Sequence, residues 1–176
     1  RQMCIRDRAA AALQWMSTRN EVISSRAIRE GFAAARWPGR LQWMRWRGLR
    51  LRVDGAHNPP AAIALARERC GWSSDGHRQI WILAIQAQKQ APEMLQQLLA
   101  PLDEAWIVPV PGHRCWSLEQ LKSALPLQLH QLKSAETALD ALNQLMDQGW
   151  PASAPVIAGS LYLIGQLMEN GTLEAE

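Results

Sequence analysis

Apolar positions along the chain follow two periods in turn. Leu49, Leu51 and Val53 recur at every second residue with Arg50 and Arg52 between them, which predicts a strand with one buried and one cationic face. Leu41 to Trp46 predicts a partner strand, joined to it by a tight turn at Arg47-Gly48. Further apolar runs predict strands at Gln79 to Ile85, Glu104 to Val108 and Pro155 to Ala158, with a short one at Leu127 to His130. Helical spacing fills the intervals. Ala9 to Met16 reads as the end of a helix, and Ser25 as the cap of another running to about Ala35, with Ile28 and Phe32 on one face. After the hairpin, Asn58 and Pro59 cap and open a helix that Gly71 ends. Helices follow at Pro92 to Leu99, at Ser117 to Leu125 behind a capping box of Ser117 and Gln120, at Thr137 to Gln148 and at Ser160 to Asn170.

Strands alternating with helices predict an α/β fold. The expected form is a Rossmann-like, mostly parallel sheet with helices on both faces and an antiparallel hairpin at one edge. A length of 176 residues suits one such domain with a short neighbouring piece. The Trp37-Pro38-Gly39 break marks the expected boundary. Residues 1–8, RQMCIRDR, fit neither the periodicity that follows nor the start of a domain, and read as non-native adapter or vector sequence.

Composition excludes more than it suggests. No apolar run approaches the roughly 20 residues that a membrane span needs, and no secretory leader is evident. Cys4, Cys70 and Cys115 are too far apart for a metal motif and suggest reduced thiols in a cytoplasmic protein. The net charge of +3 is mild, yet Arg36, Arg40, Arg45, Arg47, Arg50 and Arg52 crowd into one stretch. Such a cluster attracts phosphate. A nucleotide is favoured over nucleic acid because the nine tryptophans show no regular stacking pattern with the arginines.

Chemistry in an open α/β sheet is expected at the carboxyl ends of strands. There the chain places DGAHNP, Asp54 to Pro59. Asp54 can accept two hydrogen bonds, as from the paired hydroxyls of a ribose, or simply brace the loop. Gly55 permits close approach of a ligand. His57 can donate to a carboxylate or phosphate, near helix amides that favour an anion. Arg40, in PGRLQ, offers a planar fork for phosphate or is one solvated arginine among several. Ser160 is a helix cap or a carboxylate ligand, and Lys89 neutralises an acidic substrate or is merely solvated. His113 reads as structural or superficial, and His77 and His130 show no partner. The chain has no Walker phosphate loop, no G-x-G-x-x-G after a strand, no G-x-S-x-G elbow and no zinc motif.

RWPGRLQ, DGAHNPPAA, VPVPGHRCWSLEQL and GSLYLIG, in that order, resemble the carboxy-terminal domain of the folylpolyglutamate synthase/dihydrofolate synthase family, part of the Mur ligase superfamily. The resemblance runs from about Ala10 to Gly165. It implies an amino-terminal ATPase domain beyond this chain, with residues 9–37 as its end and linker, and residues 38–176 as the carboxy-terminal domain. It implies ATP and Mg²⁺ as cofactors, the metal ligands lying in the absent domain and no metal site in this one. The implied reaction joins L-glutamate to folate or dihydropteroate through an acyl phosphate. The implied partners are those small molecules and the ATPase domain, with neither nucleic acid nor membrane, in a cytoplasmic monomer. By the same resemblance, Arg40 reaches the ATP phosphates and Asp54 the ribose. His57 and Ser160 are the catalytic candidates, and with Lys89 they are the candidates for binding glutamate. The family lysine sits in G-x-x-x-D-K-D, whereas here the segment is AIQAQKQ, a diverged glutamate site. A Mur-type peptidoglycan ligase domain and a non-catalytic nucleotide-binding module remain the alternatives. The chain alone is expected to fold but not to catalyse.

Overall fold

The computed structural model describes residues 5–19, 23–35, 37–69, 71–72, 78–125 and 131–176. The chain divides into two compact units, Arg1–Pro38 and Gly39–Glu176. The first contains helices α1 (Ile5–Ser17) and α2 (Ser25–Ala34). Ser24 rather than Ser25 caps α2. Its backbone is extended and its hydroxyl accepts the Ala27 N–H, so the helix starts one residue beyond the serine that closes its first turn.

The second unit runs β1 (Gln42–Trp46), β2 (Leu49–Asp54), α3 (Pro59–Arg69), β3 (Ile80–Leu83), α4 (Ala91–Leu98), β4 (Glu104–Ile107), α5 (Leu118–Ala124), β5 (Leu132–Ser134), α6 (Ala138–Asp147), β6 (Val156–Ala158), α7 (Leu161–Glu169) and β7 (Glu174–Ala175). These strands form one sheet in the order β5-β4-β3-β6-β2-β1-β7. The five strands from β5 to β2 are parallel, and β1 and β7 each pair antiparallel with their neighbour. The hairpin turn has positive φ at both Arg47 (51°) and Gly48 (79°), the geometry whose twist matches that of the flanking strands. The hairpin is not quite the edge, because β7 adds a short rung outside β1. The strand expected at Leu127–His130 lies outside the described residues, as do Cys4, Arg36, Cys70 and His77; β5 follows it directly.

Alternation along the strands divides the core in two. Met44, Leu51, Val53, Ile82, Trp106 and Ile157 pack with α6 and α7 on one face. Trp81, Leu83, Ala105, Ile107 and Val156 pack with α3, α4 and α5 on the other. Ile80 and Ile82 thus point opposite to Trp81 and Leu83 on the same strand, the period of two that β structure imposes. Two buried acids fasten the amino end of β4. Asp103 takes a two-pronged ion pair from Arg69 (2.5 and 2.6 Å), the indole N–H of Trp81 and the amides of Gln79 and Ala100. Glu104 is ringed by Arg78, Lys133 and the Trp106 indole. Among the described residues no helix is long and apolar enough to cross a membrane.

Strand β3 leads through α4 to β4 on one side, while β6, beside it, leads through α7 to β7 on the other. Neighbouring connections that part in this way open a crevice at the carboxyl edge, the usual ligand position in a doubly wound sheet.

Candidate functional site

Three segments meet at that edge. The Gly55 N–H donates to the Gly39 carbonyl at 2.7 Å, tying DGAHNP to the PGRLQ segment. A Cβ on Gly55 would lie 2.2 Å from the side chain of Leu161, the residue after Ser160, so a larger residue at 55 would force that side chain to move. Asp54, at the end of β2 and 6% exposed, binds both neighbours: its Oδ2 accepts the Leu41 N–H at 3.0 Å, and its Oδ1 the Ala56 N–H at 2.8 Å. Burial raises the Asp54 carboxyl above its ordinary pKa; those two amides and the Arg40 charge pull the other way and are outweighed.

Arg40 stands beside this carboxylate, half-exposed, with Nη1 3.9 Å from Oδ1. At that distance the pair is electrostatic rather than hydrogen-bonded, and the guanidinium N–H groups stay available to an anion. Asp54 spends one acceptor position of each oxygen on the loops and keeps the other. Among the described residues no group of three or more His, Cys, Asp or Glu side chains could hold a metal ion.

A cavity of about 250 Å³ opens above the carboxyl ends of β3 and β6, lined by His57, Gln86, Lys89, Gly159, Ser160, Leu161 and Tyr162. Arg40 and Asp54 do not line it. His57 is oriented by its own turn: Nδ1 lies 2.8 Å from the Gly55 carbonyl, which can only accept, so Nδ1 carries the hydrogen and Nε2 is left for a ligand. Ser160 caps α7, its Oγ accepting the Leu163 N–H at 3.4 Å, and retains its own O–H to donate. Capping and lining the cavity are compatible here. Gly159 has φ of 97°, and a Cβ there would sit 2.5 Å from the Ala84 carbonyl, so β6 and β3 close together beneath the cavity only because residue 159 is glycine.

Lys89 is placed by a clasp between the loops after β3 and β4. Its carbonyl accepts the Trp116 indole N–H at 2.9 Å, its N–H donates to the Gln86 carbonyl, and Ala87 and Trp116 bond to Arg114 and Ile85 across a short antiparallel bridge of Gln86 with Cys115. Its ammonium has no acidic partner among the described residues, and the flanking Gln88 and Gln90 turn to Gln86 and Glu93. Gln86 and Tyr162 escaped the sequence reading. Gln86 is 8% exposed, a buried amide at a strand end; Tyr162, 61% exposed, lies against His113 with ring centroids 4.3 Å apart and planes tilted by 47°, so His113 braces the rim of the cavity.

A doubly wound α/β domain with a small polar cavity at its switch point is the class of domain that handles nucleotides and small metabolites. Residues 41–170 match the family model described as "Dihydrofolate synthetase, C-terminal domain". The chain is 28% identical over 161 residues to the dihydrofolate synthase/folylpolyglutamate synthase of Escherichia coli K12, which covers 92% of this chain and 37% of that protein. The solved structure of the Escherichia coli enzyme in complex with DHPP and ADP is similar with a TM-score of 0.71 and 29% identity, over 92% of this chain and 38% of that one. A solved bifunctional folylpolyglutamate synthase/dihydrofolate synthase with Mn, AMPPNP and L-glutamate bound is similar with a TM-score of 0.70 and 27% identity, over the same shares. The chain belongs to the folylpolyglutamate synthase/dihydrofolate synthase family, whose C-terminal domain it carries. It spans a little over a third of the length of these relatives.

Proposed function

We propose that this domain serves an ATP-dependent ligase that joins L-glutamate to a folate or dihydropteroate carboxyl, working with a phosphate-loop domain and inactive without it. The observation that carries the reading is the cavity, because it gathers His57, Lys89 and Ser160 from three separate loops into a space sized for an amino acid. ATP supplies the phosphoryl group that turns the acceptor carboxylate into an acyl phosphate, and displacement of phosphate by the glutamate amine completes the amide. On this chain, the Lys89 ammonium and the Ser160 hydroxyl hold glutamate carboxylates, and His57 Nε2 lies on the same wall to accept a proton from the amine. Arg40 reaches the phosphates and Asp54 the ribose, with Asp54 also fixing the turn that carries Arg40. Residues 38–176 form this domain, residues 9–37 belong to the end of the preceding domain, and residues 1–8 are foreign.

A chimera tests this. The Escherichia coli enzyme would receive residues 39–176 in place of its own counterpart, with ATP-dependent glutamate incorporation as the readout. Lys89→Ala and Ser160→Ala are expected to raise KM for glutamate at least tenfold, and Arg40→Ala to raise KM for ATP. Unchanged KM values in an active chimera would overturn these assignments. The 176-residue chain alone is expected to show no ATP-dependent incorporation.

A further inference from the structure

The hairpin carries a second built feature on the helix-free face of its strands. Trp43 and Arg45 of β1 lie opposite Arg52 and Arg50 of β2, while the intervening Met44, Leu51 and Val53 enter the core. The four outward residues, with Trp72 and Trp150, line a groove of about 510 Å³. Within it guanidinium and indole alternate as a ladder. Arg50 lies over the Trp43 ring at 4.1 Å, Arg52 over the same ring at 4.1 Å, and Arg52 also over Trp72 at 4.2 Å. The sequence shows no such stacking pattern, and the structure corrects that reading: cross-strand register, invisible in the text, makes neighbours of Trp43 and Arg52.

The groove's charges are unbalanced. The Glu176 carboxylate already bridges two of its cations, Arg45 Nη2 at 2.6 Å and Arg50 Nη2 at 2.8 Å. The Arg52 guanidinium has no hydrogen-bond or carboxylate partner among the described residues, and its pKa is lowered by burial and by the neighbouring Arg50 charge. A carboxylate is thus the anion these guanidiniums already grip, and one more cation remains unanswered. Spacing narrows the ligand further. Arg50 and Arg52, two apart on one strand, stand about 7 Å from each other. An α-peptide advances up to about 3.6 Å over three main-chain bonds, so a γ-linked glutamyl unit with five advances about 6 Å and presents one carboxylate per step.

We propose that this groove binds the γ-glutamyl tail of the folate, seating one carboxylate on Arg45 and Arg50 together, in place of Glu176, and the next on Arg52. The proposal rests on the ligase reading for the source of the tail, and it sets a tail site apart from the carboxyl-edge cavity. The tryptophans supply the readout. Titration of the 176-residue chain with tri-γ-L-glutamate at low salt is expected to give a saturable change in indole fluorescence. Arg45→Gln/Arg50→Gln should weaken binding at least tenfold while the far-ultraviolet dichroism stays unchanged. Arg47→Gln, outside the groove, should leave it unaltered. Glu176→Gln should tighten binding several-fold, whereas Glu174→Gln, the same charge change two residues away, should not. Absence of saturable binding, equal tightening by both glutamate variants, or better binding of inorganic phosphate or a single-stranded oligonucleotide than of the tripeptide would each overturn the proposal. Binding here needs neither ATP nor turnover, so failure of the tail site leaves the chimera result standing, and the reverse.

Discussion

Leu41 holds a left-handed backbone, φ 44°, which a branched side chain adopts only under constraint, and Asp54 supplies the constraint by accepting its N–H. The price of that service is a carboxylate out of water. Because burial raises its pKa, the native chain binds this proton more tightly than the unfolded chain does. The associated stability is complete below the unfolded value of about 3.9 and is lost as pH rises through the higher folded value. Relative to Asp54→Asn, which cannot titrate, the chain should therefore lose unfolding free energy from about pH 4 upward and then level off. Urea unfolding at successive pH values measures this, and a flat difference would contradict it. Asp103 is also buried, and it is matched by Arg69 and three other hydrogen-bond donor groups. Asp103→Ala should cost about 3 kcal/mol by leaving Arg69 and the Trp81 indole unanswered, read from the urea midpoint. At this scale the sequence marked the turn that carries Asp54 and His57. It left open whether Asp54 braces the loop or faces a ligand, because the Leu41 amide that decides the first lies 13 residues away.

The elements with regular periodicity were legible, from the Leu49–Val53 alternation to the capping box of α5, where Ser117 and Gln120 bond reciprocally. Those whose pattern is too short were not. β7 has two residues and no alternation, and its place beside β1 depends on backbone pairing alone. Loops carry no period at all, so the clasp from Trp116 to Lys89 was invisible. Its importance is measurable: Trp116→Phe keeps the ring but loses the bond to the Lys89 carbonyl, and should raise the chimera's KM for glutamate several-fold with kcat little changed. Gly159→Ala should act on the sheet itself, since the new methyl meets the Ala84 carbonyl in a left-handed backbone. A loss of about 1–3 kcal/mol is expected in urea unfolding.

For the molecule as a whole, the division after Pro38 predicts that residues 39–176 expressed alone unfold in one cooperative transition, at a midpoint close to that of the same unit in the full chain. A broad or multiphasic melt of the shorter protein would refute this. The α/β class was legible here because strand and helix periods alternate so regularly. The strand order was not, since nothing in the text places β6 between β3 and β2.

That order has a consequence for how such a domain changes over time. His57, Lys89 and Tyr162 hang from the carboxyl edge and belong to neither apolar cluster. The two clusters secure the strands from either face, and Asp103 and Glu104 pin the opposite edge. Exposed positions of the edge loops can therefore change without unsettling the scaffold, whereas Gly159 cannot. In the segment after β3, Ala87, Gln88 and Gln90 are exposed and can vary beside Lys89, whereas Ala84 and Ile85 belong to the clusters and are held with the architecture.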